Sequence, residues 1–140
     1  MKNTIASLIL MTSLFVGAST YAQENAEEVT NTFFELYESK GTDAAVDYVF
    51  STNQWLNGDQ TTIENIKAQL KKGISILGQY YGYELAEQKK MGNCFVLLKY
   101  ILRYDRQPIM FIFILYKPHE KWQIQNLKFD DRLDDDIIGD

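Results

Sequence analysis

Hydrophobic positions change their spacing once along this chain, near residue 79. Before that point, apolar residues recur every three or four positions, which is typical of amphipathic helices. The spacing predicts helices over Glu24 to Lys40, Asp43 to Phe50 and Gln60 to Leu77. Thr42 and Thr61 are the expected N-caps of the second and third helices, since Thr61 with Glu64 matches a capping box.

After that point the chain is typical of four strands joined by compact turns. The strands are predicted over Gln79 to Gln88, Cys94 to Tyr104, Ile109 to Tyr116 and Trp122 to Phe129. Turns this short force neighbouring strands to pair antiparallel, because parallel strands need a crossover of a dozen or more residues. The expected fold is therefore α+β, with three N-terminal helices packed on a curved four-stranded antiparallel sheet.

The two middle strands are apolar at successive positions, so that both of their faces are apolar. Ile109 to Tyr116 has no polar break, and Phe95 to Leu98 is apolar throughout. Side chains alternate across a sheet, and three helices cover only one face of it. We therefore expect the outer face to be a homodimer or partner interface. The candidate interface residues are Phe95, Leu97, Phe111 and Phe113. The alternative is a strongly curled sheet whose outer face the C-terminal tail partly covers.

The N-terminus has the pattern of a secretory signal peptide. Lys2 precedes an apolar run over Ile5 to Val16, and Thr20-Tyr21-Ala22 places small residues where a signal peptidase cuts. A membrane anchor is the alternative, although the run is short for one. The sequence predicts a secreted or periplasmic protein with no membrane span after cleavage. The expected organisation is a signal peptide over 1–22, one domain over 23–130 and an acidic tail over 131–140.

Composition excludes several classes of partner and cofactor. The net charge is −5 and no basic stripe is present, so nucleic acid is not an expected partner. One histidine and one cysteine, His119 and Cys94, leave no zinc or triad pattern, and we predict no cofactor and no metal. Cys94 is expected to be a buried small hydrophobe, and a chain without disulfides fits a bacterial envelope. Residues 130–136 are acidic but lack the spacing of a calcium loop, which favours a solvated tail.

The order of elements resembles the NTF2-like superfamily of cone-shaped α+β folds. The resemblance is carried by Phe33-Phe34-Glu35-Leu36-Tyr37 in the first helix, by the short second helix, and by Lys121-Trp122-Gln123-Ile124 at the last strand. The strand or hairpin that many members place between the second and third helices is short or missing here. Cystatin-like folds are the nearest rival. The resemblance implies a pocket between the helices and the concave sheet face, but no single activity.

Aromatic residues are the candidate pocket lining. Large amphipathic rings can line a cavity that binds a small apolar ligand, although they can equally be core and rim aromatics. The candidates are Tyr37, Tyr48, Trp55, Tyr81, Tyr83 and Tyr100. A ketosteroid-isomerase-like site would also need a carboxylate base, for which Asp47 and Glu84 are available but neither falls on the expected position.

Two cations on the second strand are the candidate anion contacts. Lys99 and Arg103 share a face with apolar neighbours, where they can bind an anionic ligand or form salt bridges at the end of the sheet. No catalytic residue is predicted. The leading interpretation is a non-catalytic binding module that uses the cone pocket or the outer sheet face. The alternatives are an isomerase or hydratase acting on an apolar molecule, and a protein-interaction or inhibitor module.

Overall fold

The computed structural model describes residues 25–56 and 59–133 of the chain. Three helices precede four strands: α1 Ala26–Lys40, α2 Thr42–Ser51, α3 Gln60–Ile74, β1 Tyr80–Met91, β2 Phe95–Tyr104, β3 Ile109–Tyr116 and β4 Gln123–Asp130. The strands form one open antiparallel sheet in the order β1-β2-β3-β4. The predicted α+β class and its arrangement of helices and strands are confirmed. The predicted signal peptide over 1–22 lies outside the described residues, as do positions 134–140 of the tail.

Local side chains set where the helices begin and end. Asn25 caps α1 by accepting from the Glu27 N–H, and Asp59 caps α3 by accepting from the Thr62 N–H at 3.2 Å. The predicted caps at Thr42 and Thr61 are wrong, because Gly41 and Asp59 occupy the N-cap positions. Gly41 ends α1 and starts α2 with a φ of 91°. Glycine adopts this conformation readily because it has no side chain to clash.

The helices pack on one face of the sheet, here called the inner face. Phe33 and Phe34 of α1 are fully buried, and their rings lie 5.0 Å and 5.9 Å from the ring of Phe113 on β3. Leu98, Leu102 and Leu115 complete this core from the central strands. None of the described helices is long and apolar enough to cross a membrane.

Irregular pairing in β1 decides which tyrosines reach the core. The register shifts between Tyr80 and Gly82, so that Tyr80 pairs with Tyr104 and Tyr83 pairs with Leu102. Tyr80 and Tyr83 therefore share the inner face, and Tyr81 does not. The prediction that Tyr81 and Tyr83 line one pocket wall is therefore wrong, because a bulge inverts the phase of a strand.

The edge of β4 is partly closed by the turn that follows α2. The Ile124 N–H donates to the Thr52 hydroxyl at 3.0 Å, and the Asn53 side-chain amide donates to the Ile124 carbonyl at 3.2 Å. Asn53 is itself buried and accepts from the Trp55 N–H. These side chains take the place of a neighbouring strand at Ile124.

Candidate functional site

The candidate pocket residues do not line one cavity. Tyr37 of α1 and Tyr83 and Tyr100 of the sheet all pack in the core of the inner face. The Tyr83 ring stacks on Phe34 with centroids 3.8 Å apart, and the Tyr100 ring meets the same phenylalanine edge-on at 4.9 Å. At these separations the rings touch, so this part of the inner face is filled.

The other three aromatic candidates lie elsewhere. Tyr48 is half-buried on α2 against the edge of the core. Tyr81 is 59% exposed and donates to Asp105 at 2.6 Å, and Trp55 is 82% exposed in the turn after α2. The prediction of a single aromatic pocket wall is therefore wrong for Tyr81 and Trp55, which point away from the tyrosines of the inner face.

Hydroxyl groups inside the core are paired with one another. The Tyr100 hydroxyl lies 2.6 Å from the Thr30 hydroxyl, and the Tyr37 hydroxyl bonds to that of Tyr104. Desolvation raises the pKa of Tyr37 far above its ordinary range, and the bond to Tyr104 adds to the shift. Burial also raises the pKa of Tyr80, which donates to Glu38. These phenols stay protonated at neutral pH and serve as internal hydrogen-bond partners.

Carboxylates with shifted pKa values lie at the surface and are shifted downwards. Hydrogen bonds from Lys89 and Lys99 lower the pKa of Glu87, and the bond from Tyr81 lowers that of Asp105. A general base in an apolar pocket has the opposite shift, because burial there favours the neutral acid. Within residues 25–56 and 59–133, no three His, Cys, Asp or Glu side chains come together in a way that could hold a metal.

The outer face of the sheet is built from alternate residues of the same strands. The strand pairing aligns Phe95 with Tyr116, Leu97 with Ile114, Lys99 with Ile112, and Ile101 with Met110. Seven of these eight positions are apolar, and they form a band two strands wide that we call the outer stripe. The stripe is separate from the helix-covered core cluster, although Met110 within it is only 6% exposed.

Phe111 and Phe113 do not belong to this face. Both are fully buried against Phe33 on the inner face, so their assignment to the interface is wrong. The sequence could not place them correctly, because every position of β3 is apolar and the pattern does not show which alternate residues point outward. Phe95 and Leu97 do lie on the outer face, half-buried among their neighbours.

The candidate anion contacts are occupied by groups of the chain itself. Lys99 bonds to Glu87 at 3.0 Å and its side chain is 20% exposed. Arg103 donates to the Tyr81 carbonyl at 3.1 Å. Lys99 therefore forms a salt bridge, as in the alternative to anion binding. The hydrogen bond from Arg103 stabilises the bulge of β1. Both side chains lie on the outer face, at the border between β1 and β2.

Rows of charged and polar side chains flank the outer stripe on both sides. On β1 the row is Glu84, Glu87, Lys89 and the apolar Met91, and on β4 it is Asp130, Lys128, Asn126 and Gln123. An apolar centre with polar margins is the usual anatomy of a protein interface. Sequence reasoning missed these rows, although alternation within β1 and β4 was the signal that could have found them.

A small apolar cleft lies between the helices and β4. Its volume is about 160 Å³, and its walls come from α2, α3, the turn after α2, and β4. The lining residues are Val46, Val49, Phe50, Leu56, Thr62, Ile66, Gln125, Asn126 and Leu127. The cleft has the size of a single aromatic ring with little to spare.

Cys94 is exposed in the turn before β2, which corrects the expectation of a buried hydrophobe. The strand begins one residue later, at Phe95, so Cys94 precedes the first position that packs in the sheet.

Comparison with protein-family models, with curated proteins and with solved structures found no match to this chain.

Proposed function

We propose that this chain is a non-catalytic protein-binding module that binds with the outer face of its sheet. The observation that carries the proposal is the outer stripe, which places seven apolar side chains side by side on β2 and β3. Monomeric proteins rarely leave a contiguous apolar band uncovered, and such bands mark interaction sites. The partner that fits has a matching apolar surface with charged groups of both signs at its margins.

The filled inner face supports binding over catalysis. Reaction of a small apolar substrate there requires a cavity beside a poised acid or base. The tyrosine and phenylalanine rings are in contact instead, and burial keeps the pKa of Tyr37 and Tyr100 above the ordinary value. A secreted or periplasmic location and an NTF2-like origin are part of the same proposal, based on the signal pattern over 1–22 and on the motifs of α1 and β4.

Site-specific photocrosslinking tests the proposed surface. A benzoylphenylalanine at position 97 should give a protein adduct under ultraviolet light, in the purified chain or in an extract of its cells. The control carries the same probe at position 76, where an isoleucine is 62% exposed away from the sheet. Ile112→Lys should remove the adduct, since it puts a charge in the centre of the outer stripe.

An adduct supports the proposal when its second protein is identified, purified and found to bind the wild-type chain but not Ile112→Lys. Equal labelling at positions 97 and 76 would overturn it.

The cleft beside β4 is the basis of a second candidate function, the binding of a one-ring apolar molecule. Its walls are mostly apolar and its volume of about 160 Å³ matches such a ligand. Indole is a suitable probe, and its binding should shift the backbone amide resonances of residues 125–127. Val49→Phe should fill the cleft and abolish the shifts. Indole-induced shifts confined to β2 and β3 would assign the ligand to the outer face instead.

A further inference from the structure

We infer that the tail over residues 134–140 turns back and places Ile137 and Ile138 in an apolar cleft between the end of α3 and the end of the sheet. The inference does not depend on the proposed function, because the cleft lies on the helix side of the sheet and not on the outer face. It identifies what this cleft binds and which face of the sheet the tail leaves open.

The cleft, here called the end cleft, lies where the chain leaves α3 and enters the sheet. Its volume is about 260 Å³. Ile76 and Leu77 of the turn after α3 form one wall, and Ile109 and Phe129 at the ends of β3 and β4 form the other. Ile76 is 62% exposed at this position, whereas Leu77 and Ile109 are buried in the main core. Apolar walls with an exposed isoleucine beside them favour an apolar occupant.

The tail starts at the end cleft. Asp131, the residue after β4, is part of the lining, and Leu133 two residues later is half-buried, so the chain is still against the body of the protein there. Ile137 follows Asp131 by six residues, a span of at most about 20 Å. This length is enough for the chain to turn once and bring Ile137 back to the wall from which it left.

The apolar residues of the tail match the end cleft in size. Ile137 and Ile138 stand in a stretch that otherwise contains only aspartate and glycine. Each side chain has four carbons, and at roughly 30 Å³ per heavy atom, the share of a water molecule in the liquid, two of them occupy roughly 240 Å³. The end cleft has about this volume. A short tether also gives a millimolar effective concentration, which favours the tail over apolar groups of a separate molecule.

Acidic side chains at the rim of the end cleft are already paired within the chain. Asp130 accepts from the backbone and the side chain of Arg132, and Asp131 accepts from a side-chain amide of the turn between β2 and β3 at 3.5 Å. Arg106 lies at the same rim, because its backbone N–H donates to the turn after α3 at 3.0 Å. The aspartates at 134–136 therefore pass a rim that carries both signs of charge.

This placement decides between two positions of the tail. Ile109 pairs with Leu102, which is fully buried on the inner face, so the end cleft and the outer stripe lie on opposite sides of the sheet. A tail anchored in the cleft by Ile137 and Ile138 leaves the outer stripe open. The alternative expected from the sequence, a tail that partly covers the outer face, is replaced by one that covers the end of the inner face.

Photocrosslinking within one chain tests the placement. Benzoylphenylalanine at position 76 of the purified chain should link to the tryptic peptide that begins at Leu133, since trypsin cuts after Arg132. The link joins a chain to itself, so the product keeps the mass of one chain and adds no second protein. Position 55 is the matched control, because Trp55 is 82% exposed in the turn after α2, and the probe there should give no such link.

Filling the end cleft tests whether the tail binds inside it. Gly73 of α3 is part of the lining, and a side chain added there would start in open space. Gly73→Phe should occupy the cleft and lower the yield of the position-76 link severalfold, whereas Gly73→Ala should retain it. Both substitutions replace the same helix glycine, so a general effect on α3 would change the two yields in the same direction.

A link from position 97 to the peptide that begins at Leu133 would overturn the inference, and it would also cover the outer stripe that the proposed function requires. A link from position 76 to a second copy or to another protein would assign the end cleft to a separate partner and overturn it too. Absence of a link to the tail from either position would overturn the inference and leave the proposed function standing. Equal yields in Gly73→Phe and Gly73→Ala would place the tail outside the cleft.

Discussion

The central strands β2 and β3 contribute to both faces of the sheet, yet the two faces differ in what covers them. On the inner face, Leu98 is fully buried and belongs to the main core, which the helices cover. On the outer face, its neighbour Leu97 is half-buried among side chains of its own sheet and lies outside that core. The difference shows that burial within a strand run depends on the layer above it, and that hydrophobicity alone does not reveal it.

Truncating these adjacent leucines should give the largest contrast. Leu98→Ala removes a fully buried side chain and should lower the free energy of unfolding by about 2–5 kcal/mol. Leu97→Ala should lower it by about 1 kcal/mol or less at protein concentrations where the chain is monomeric. Urea denaturation followed by circular dichroism measures both. Equal losses would mean that the outer face is covered as well as the inner one.

Alkaline pH should lower the free energy of unfolding, and Tyr37 on the inner face should account for part of the loss. Tyr37 in the unfolded chain ionises near pH 10, whereas burial raises its pKa in the fold, so the fold retains a proton that the unfolded chain releases. This stabilisation is complete below about pH 10 and is lost above it, at up to about 1.4 kcal/mol per pH unit.

The free energy of unfolding measured from pH 9 to 12 should therefore fall less steeply in Tyr37→Phe than in the wild type. Tyr104, which bonds to the hydroxyl, and Tyr80, which lies near it, both stay in place in this variant. Parallel curves for the two proteins would show that Tyr37 is accessible to solvent.

A smaller effect than the loss of Leu98 is predicted for the hydroxyl pair that joins α1 to β2. Thr30→Val keeps the shape of the side chain but leaves the buried Tyr100 hydroxyl without the partner at 2.6 Å, and should cost about 1–2 kcal/mol. Thr32→Val is the control, since the Thr32 hydroxyl bonds only to its own helix, at Glu28. A larger loss in the control would contradict an internal role for the Thr30–Tyr100 pair.

Most of the fold followed from patterns that local physics controls. The spacing in α1 and the short turns between strands were enough to predict three helices and an antiparallel sheet, and β3 has the predicted bounds. The cap of α3 was missed because Asp59 and Thr61 both have suitable side chains, and only the geometry of the chain before α3 chooses between them.

The site was predicted less well, because its residues depend on phase and coverage. A single bulge after Tyr80 exchanged the faces of Tyr80 and Tyr81. Phe111 and Ile112 are equally apolar, and only the position of Phe33 and Phe34 decides which of them lies in the core. The existence of an apolar outer face could be predicted from the sequence, as could its members Phe95 and Leu97, but Phe111 and Phe113 were assigned to the wrong face.

The closed edge at Ile124 limits how copies of this chain can assemble. Thr52 and Asn53 occupy the backbone N–H and carbonyl of Ile124 that a further strand would need, and β1 carries lysines and glutamates along the opposite edge. Growth of the sheet from chain to chain, the route to fibres, is therefore obstructed at β4 and discouraged by charge at β1.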